Sequence, residues 1–153
     1  MIGAVPVIFF INILEIVFKA VMKKIKENFS DKSSLELVRT LARAASDKKA
    51  QDLVILDVRG ISSFADYFLI MSGRSVRHVQ GLANAVDEAV GSKRLKAANT
   101  EGLSDGHWVL IDYNDVVVHI FYDQTRKFYD LEGLWHDAGR LTEKDLEKEV
   151  NTA

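Results

Sequence analysis

The stretch SDGHWVLIDYNDVVVHIF, residues 104–121, decides how this chain folds. WVLID and VVVHIF are short runs rich in β-branched and aromatic residues, and DYND between them is a tight-turn sequence. Asn tolerates a positive φ and Asp bonds its own backbone, so the two runs read as adjacent antiparallel strands, roughly 107–112 and 116–122. Alternation along the second strand puts His119 on the face shared with Val117 and Phe121. Trp108 heads one strand and His119 lies inside the other. Two readings follow. The hairpin is the wall of a catalytic cleft worked by His119 and Asp112, or it is a docking surface anchored by Trp108.

A hairpin needs further strands and a covering layer. DLVILDV (52–58) and DYFLIMS (66–72) are apolar runs interrupted at Gly60 and ended by Gly73, so both read as strands. Leu35, Val38, Leu41, Ala42 and Ala45 form a helical stripe ahead of them. A second helix begins at a Ser75 cap and carries Val76, Val79, Leu82, Ala83, Val86 and Val90 to a stop at Gly91. One short strand is expected near 95–101, and a short helix capped by Asp123 runs to about Tyr129. LTEKDL (141–146) opens a last helix, with Thr142 and Asp145 as a capping pair and Leu141 and Leu146 as its staple. The expected class is α/β (α+β): a mixed sheet of about five strands flanked by helices.

With 153 residues, 48% hydrophobic and 27% charged, the chain suits one globular domain. It has no cysteine, which excludes disulfides, thiolate catalysis and sulfur-ligated zinc. Residues 1–22 stand apart. No charge occurs from Met1 to Leu14, and VIFFINIL is strongly apolar. Glu15 and Lys19 break the run before it reaches the roughly 20 residues of a spanning helix. No charged start or small-residue cleavage site marks a secretory signal. Ile13, Ile16, Val17, Ala20, Val21 and Lys24 partly follow helical spacing, as a native amphipathic helix would, and MKKIKENF from Met22 also reads as an ordinary N-terminus. The expected organisation is an apolar, dispensable extension at 1–22, with a single membrane anchor as the less favoured alternative, a basic linker at 23–34, a domain at 35–140 and a helical tail at 141–153.

The catalytic reading has parts but no constellation. His78, His107, His119 and His136 show no i, i+4 pair and no H-E-x-x-H, and there is no P-loop, G-x-S-x-G or G-x-G-x-x-G. No D-x-D occurs to hold divalent metal for nucleotidyl transfer. The turn Ser72-Gly73-Arg74-Ser75 before a helix could cradle an anion, the one route to a nucleotide-binding or nucleotidyl-transfer enzyme, but it also reads simply as a turn and a cap. No metal or cofactor is called for.

Charge favours docking. From Ala97 to Thr125 there are five acids (Glu101, Asp105, Asp112, Asp115, Asp123) and no Lys or Arg, while residues 19–49 hold nine Lys/Arg and four Asp/Glu. An acidic hairpin carrying Trp108, Tyr113 and Tyr122 fits a basic protein partner and disfavours direct nucleic-acid contact. The alternative is that Trp108 is core and the acids a solvated face.

The ordered markers L-D-V, A-D-Y-F, S-G-x-S-x-R, E-G, W-V-L-x-D, V-V-V-H-x-F and Y-D-L-E-x-L-W, spread over about Leu35 to Asp137, resemble the ribosomal silencing factor family, also called Iojap-like. The resemblance implies a nucleotidyltransferase-like fold without the catalytic motif, and no enzyme activity. It implies a cytoplasmic translational repressor that binds the large ribosomal subunit through ribosomal protein fourteen, blocks joining of the small subunit when nutrients are limiting, and forms a homodimer off the ribosome. It places Trp108, Glu101 and Gly102, with Asp105 beside them, at the ribosomal-protein interface. Asp112, Tyr113 and His119 complete the expected partner-binding set.

Overall fold

Two strands that are apolar apart from a serine, a histidine and a tyrosine at one end of each, YFLIMSG and VVVHIFY, have no polar face to turn to water and so take the centre of the sheet. In the computed structural model, which describes residues 13–17, 31–91, 97–142 and 144–146, they are β2 (Tyr67–Gly73) and β5 (Val116–Tyr122). They pair in parallel from Tyr67↔Val116 to Gly73↔Tyr122. Around them lie β1 (Gln51–Asp57), β3 (Asn99–Glu101), β4 (Trp108–Asp112) and β6 (Gly139–Leu141), in the order β3-β4-β5-β2-β1-β6. Every neighbouring pair other than β2–β5 is antiparallel, so the sheet is mixed, as expected.

The sixth strand is the addition. It pairs Ile55↔Leu141 and Asp57↔Gly139 along the outside of β1. Three residues, GRL, are too few for any alternation to register in sequence. β6 also crosses the expected boundary between domain and tail. Beyond it, Thr142 gives its backbone N–H and its hydroxyl to Asp145 Oδ2, each at 2.7 Å, and Leu146 is buried in the core.

α1 (Asp31–Asp47) and α2 (Val76–Gly91) cover one face of the sheet. Val38, Leu41 and Ala45 of α1 and Val79, Leu82 and Val86 of α2 meet Ile55, Leu69, Met71, Val109, Ile111, Val118 and Ile120. α1 begins within the expected linker, at Asp31. Ser75 caps α2 by accepting the His78 N–H at 3.0 Å.

The other face has a thinner cover. It consists of Leu56, Val58, Phe68, Ile70, Trp108, Leu110, Val117 and Phe121, under Leu131, Tyr129, Trp135, Ala138 and Phe64. Two short helices supply part of the cover, Tyr129 from α3 (Asp123–Tyr129) and Leu131 from α4 (Leu131–Leu134), and the chain on either side of them supplies the rest. Asp123 is the first residue of α3 rather than its cap, and it pairs with Lys127 at 3.2 Å. Ile16 also belongs to this cluster and is 5% exposed, so residues 13–17 of the expected extension lie on the domain. Among the described residues no helix is long and apolar enough to cross a membrane.

Arg126 ties α3 to the sheet. Its Nε and Nη2 meet Glu132 Oε1 at 2.7 Å, and its Nη1 donates to the Asp52 carbonyl and Ser72 Oγ at 2.7 and 2.9 Å. Loss of one partner from such a poorly solvated pair leaves the other charge uncompensated. Arg126→Ala is therefore expected to destabilise the chain by about 3 kcal/mol, measured as a lower urea midpoint at unchanged slope.

Candidate docking surface

The register of the β4–β5 hairpin, Trp108↔Phe121 and Leu110↔His119, brings four large side chains onto the thinly covered face. The Trp108 indole N–H donates to His119 Nδ1 at 3.1 Å. The imidazole is thus an acceptor at Nδ1, and in its neutral form carries its proton on Nε2. Burial holds its pKa down at about 3, from an ordinary 6.5. Trp108 stacks on Phe121 with ring centres 4.9 Å apart, and Tyr129 lies on it at the same distance. Phe68 meets His119 edge-on at 5.6 Å and Trp135 at 5.0 Å.

This arrangement puts Trp108 inside. At 7% exposed, with its N–H committed to His119, it supports the surface from beneath instead of standing out from it. The side chains that do stand out are Phe128, 64% exposed and edge-on to Tyr129 at 5.1 Å, and Leu134, 66% exposed. Asp130 makes the turn between α3 and α4 with φ of 45° and accepts the Gly133 N–H, which sets the angle at which Phe128 and Leu134 are shown. Sequence reading missed both residues. Their signal was present: from Phe128 to Gly139 there are three acids (Asp130, Glu132, Asp137), no Lys or Arg, and four large apolar or aromatic side chains besides Phe128.

The other expected site residues divide. Glu101 pairs with Leu110 and so lies on the Trp108 face at the sheet edge, half-buried, accepting from Asn99 Nδ2 at 3.1 Å. Asp105 is exposed and meets His107 Nδ1 at 2.8 Å. Gly102 has φ of 78°, a conformation that favours glycine, and its carbonyl accepts the Gly106 N–H. Gly106 shares that conformation at φ of 72° and is held to glycine a second way, since a Cβ there would lie 2.6 Å from Val76 Cγ1. Asp112 and Tyr113 are not brought to this surface. Asp112 is buried and its Oδ1 accepts the Asn114 N–H at 2.7 Å in the hairpin turn. The Tyr113 hydroxyl donates to Asp87 Oδ1 on α2 at 2.9 Å, and burial with that bond pushes its pKa up. With Asp115 also buried, two of the five hairpin acids contribute to the turn and not to the surface field.

The Ser72–Ser75 turn is already filled by the protein's own groups. The Arg74 N–H donates to His78 Nδ1 at 3.0 Å, the His78 N–H donates to Ser75 Oγ, and Arg126 donates to Ser72 Oγ. A Cβ on Gly73 would sit 2.8 Å from Val79 Cγ2, so that backbone approaches its own helix. Among the described residues no group of three or more His, Asp or Glu is placed to hold a metal ion.

Residues 31–153 match the family model described as ribosomal silencing factor during starvation. The chain belongs to the ribosomal silencing factor family. It is 41% identical over 102 residues to the ribosomal silencing factor RsfS of Bacillus subtilis, covering 67% of this chain and 86% of that one. The chloroplastic protein Iojap of Zea mays is 32% identical over 108 residues, with 47% of its length covered. Two solved structures share the fold. A Chromobacterium violaceum protein superposes with a TM-score of 0.65 at 34% identity over 66% of this chain and 84% of its own. One from Bacillus halodurans gives 0.63 at 37% identity, over 70% and 97%. A silencing factor acts on ribosomes, so the surface to understand is one that meets a macromolecule.

Two expectations follow from the buried Trp108–His119 pair. Trp108→Ala empties an aromatic site and strands an acceptor, so it should cost about 3–5 kcal/mol of folding stability by urea melt. The unfolded chain protonates His119 near 6.5 and the folded chain only near 3. Between those values the unfolded state binds more protons, so this contribution is complete above pH 6.5 and is lost as the pH falls toward 3. The melting temperature should drop from pH 7 to 4.5, and His119→Gln, which keeps an acceptor for the indole, should drop less. Asp57, whose carboxyl Arg59 holds below its ordinary 3.8, adds its own loss only at lower pH.

Proposed function

We propose that this silencing factor docks on the large ribosomal subunit through ribosomal protein fourteen and so prevents the small subunit from joining, repressing translation in the cytoplasm. The observation that carries the reading is the exposure of Phe128 and Leu134 on a segment, 128–139, that holds Asp130, Glu132 and Asp137 and no Lys or Arg, in a chain of this family. An apolar centre with an acidic rim suits a basic protein surface: burial of the centre gives affinity and the rim steers the approach. The Trp108 stack beneath holds that surface rigid, so little side-chain freedom is lost on binding. Off the ribosome, a second copy of the chain would bury the same apolar centre, making a homodimer. An anion-binding enzyme is the weaker reading, because the polar groups of the Ser72–Ser75 turn are engaged by Arg126 and His78.

Sedimentation with purified large and small subunits tests the docking, and light scattering of subunit mixtures tests the block. Excess protein should lower the scattering rise of joining; unchanged joining at saturation defeats the repression mechanism. Phe128→Ala should weaken binding by about 2 kcal/mol while leaving the melt unchanged, since its ring is exposed. Charge reversal of Glu101 and Asp105 to Lys should mainly slow association and flatten its salt dependence.

A further inference from the structure

One histidine decides where exposed cations of this chain gather. α1 stops at Asp47, Lys49 takes φ of 63°, and the Ala50 N–H returns to the Ala45 carbonyl at 3.0 Å. Lys48 and Lys49 are left exposed in the turn before β1. The Arg74 N–H donates to His78 Nδ1 at 3.0 Å, and in the neutral ring Nε2 then donates to the Lys48 carbonyl at 2.8 Å. A single imidazole thus ties the end of α1 to the start of α2. It brings Lys48 and Lys49 beside Arg74 and Arg77, which are exposed too. Among the described residues, none of these four side chains is ion-paired.

Fold stability accounts for the lysines but not for the arginines. A cation after a helix C-terminus complements the macrodipole, whereas one at a helix N-terminus opposes it. α2 has no acid in its first turn, and from Gly73 to Gln80 there are two arginines and no Asp or Glu. The acids close by are Asp47 and Asp52, both exposed; Asp123 is paired with Lys127, and Asp105 lies against His107.

We propose that Lys48, Lys49, Arg74 and Arg77 form a second contact surface, which takes the phosphate backbone of RNA on the large subunit while the acidic, apolar segment meets protein. The inference rests on the docking reading above. The patch is carried by α1 and α2, which cover the other face of the sheet from the Trp108 stack. Backbone N–H groups of the turn are engaged by His78 and Ser75, so the contact is made by side chains. Exposed cations without a carboxylate to hold them suit a repeated charge such as a phosphate backbone, and they position a protein there without reading sequence. Opposite signs on the two surfaces orient the chain as it approaches a particle that presents both basic protein and phosphate.

The test uses the full chain and two double variants, Lys48→Gln with Lys49→Gln and Arg74→Gln with Arg77→Gln. Arg140→Gln, which removes one exposed cation from the β6 edge, is the control for net charge. Each form is measured for affinity to purified large subunits across a potassium chloride series, for binding to protein-free large-subunit RNA at low salt, and for its melt. A phosphate contact contributes about 0.7–0.9 to the slope of log affinity against log salt, so each double variant should flatten that slope by about 1.5. Both should lose most of their binding to the free RNA and melt as the parent does, since the altered side chains are exposed. Arg140→Gln should match the parent throughout. Where a double variant melts early, the single variants Lys48→Gln and Arg77→Gln carry the comparison. Equal affinities and slopes in all forms, or an equal flattening by Arg140→Gln, overturn the RNA contact and leave the docking reading standing. Failure of the parent to bind large subunits overturns both. Weaker subunit binding by the double variants, with no binding of the parent to free RNA, assigns the patch to an acidic protein and overturns the proposal.

Discussion

A buried hydrogen bond from the Trp108 indole to His119 Nδ1 organises the working side of this protein. Neither group is comfortable alone in an apolar layer: the indole N–H needs an acceptor, and a charged imidazole would have to be desolvated. Joined, they are neutral and satisfied, and their rings become a floor. Phe121 stacks on Trp108 and Tyr129 lies tilted against it, while Phe68 meets His119 edge-on and carries Trp135 in turn. α3 and α4 rest on this floor, and the direction in which Phe128 and Leu134 leave the surface follows from it.

The two faces of the sheet differ for a reason of chain economy. α1 and α2 are long enough, 17 and 16 residues, to lay a full stripe across the strands, and they close one face. The segment after β5 has only seven- and four-residue helices to offer the other. Short helices cannot cover six strands, so they are held by specific ties, above all Arg126 to Glu132, Asp52 and Ser72. A face covered by small, individually fastened pieces is the one that a partner can meet, and the one on which residues 13–17 find a seat.

The same economy explains the silence of the turn after β2. In a sheet with a parallel central pair, the ends of β2 and β5 lie together where an α/β protein commonly holds a ligand. Here Arg126 enters from α3, His78 accepts the Arg74 N–H, and Val79 crowds Gly73. Polar groups that a nucleotide would need are engaged in holding the fold together.

Fold class, both long helices, the four main strands and the Ser75 cap were legible in the sequence, because each rests on local periodicity or on backbone chemistry spanning a few residues. So was the hairpin that placed His119 on the face of Val117 and Phe121. β6 was not legible, since three residues on an edge gain their conformation from pairing with β1 alone. The candidate docking surface was legible only in part. Composition marked the hairpin as acidic, but whether an acid faces solvent depends on the turn it sits in, and Asp112 and Asp115 are buried there. Sequence likewise showed that Trp108 matters without showing which way it acts. An aromatic residue at the head of a strand is an anchor if nothing lies over it and a foundation if something does. Tyr129, twenty-one residues further along, lies over it. That contact is made only when the chain returns after β5, and local sequence cannot encode it because burial is a property of the assembled layers.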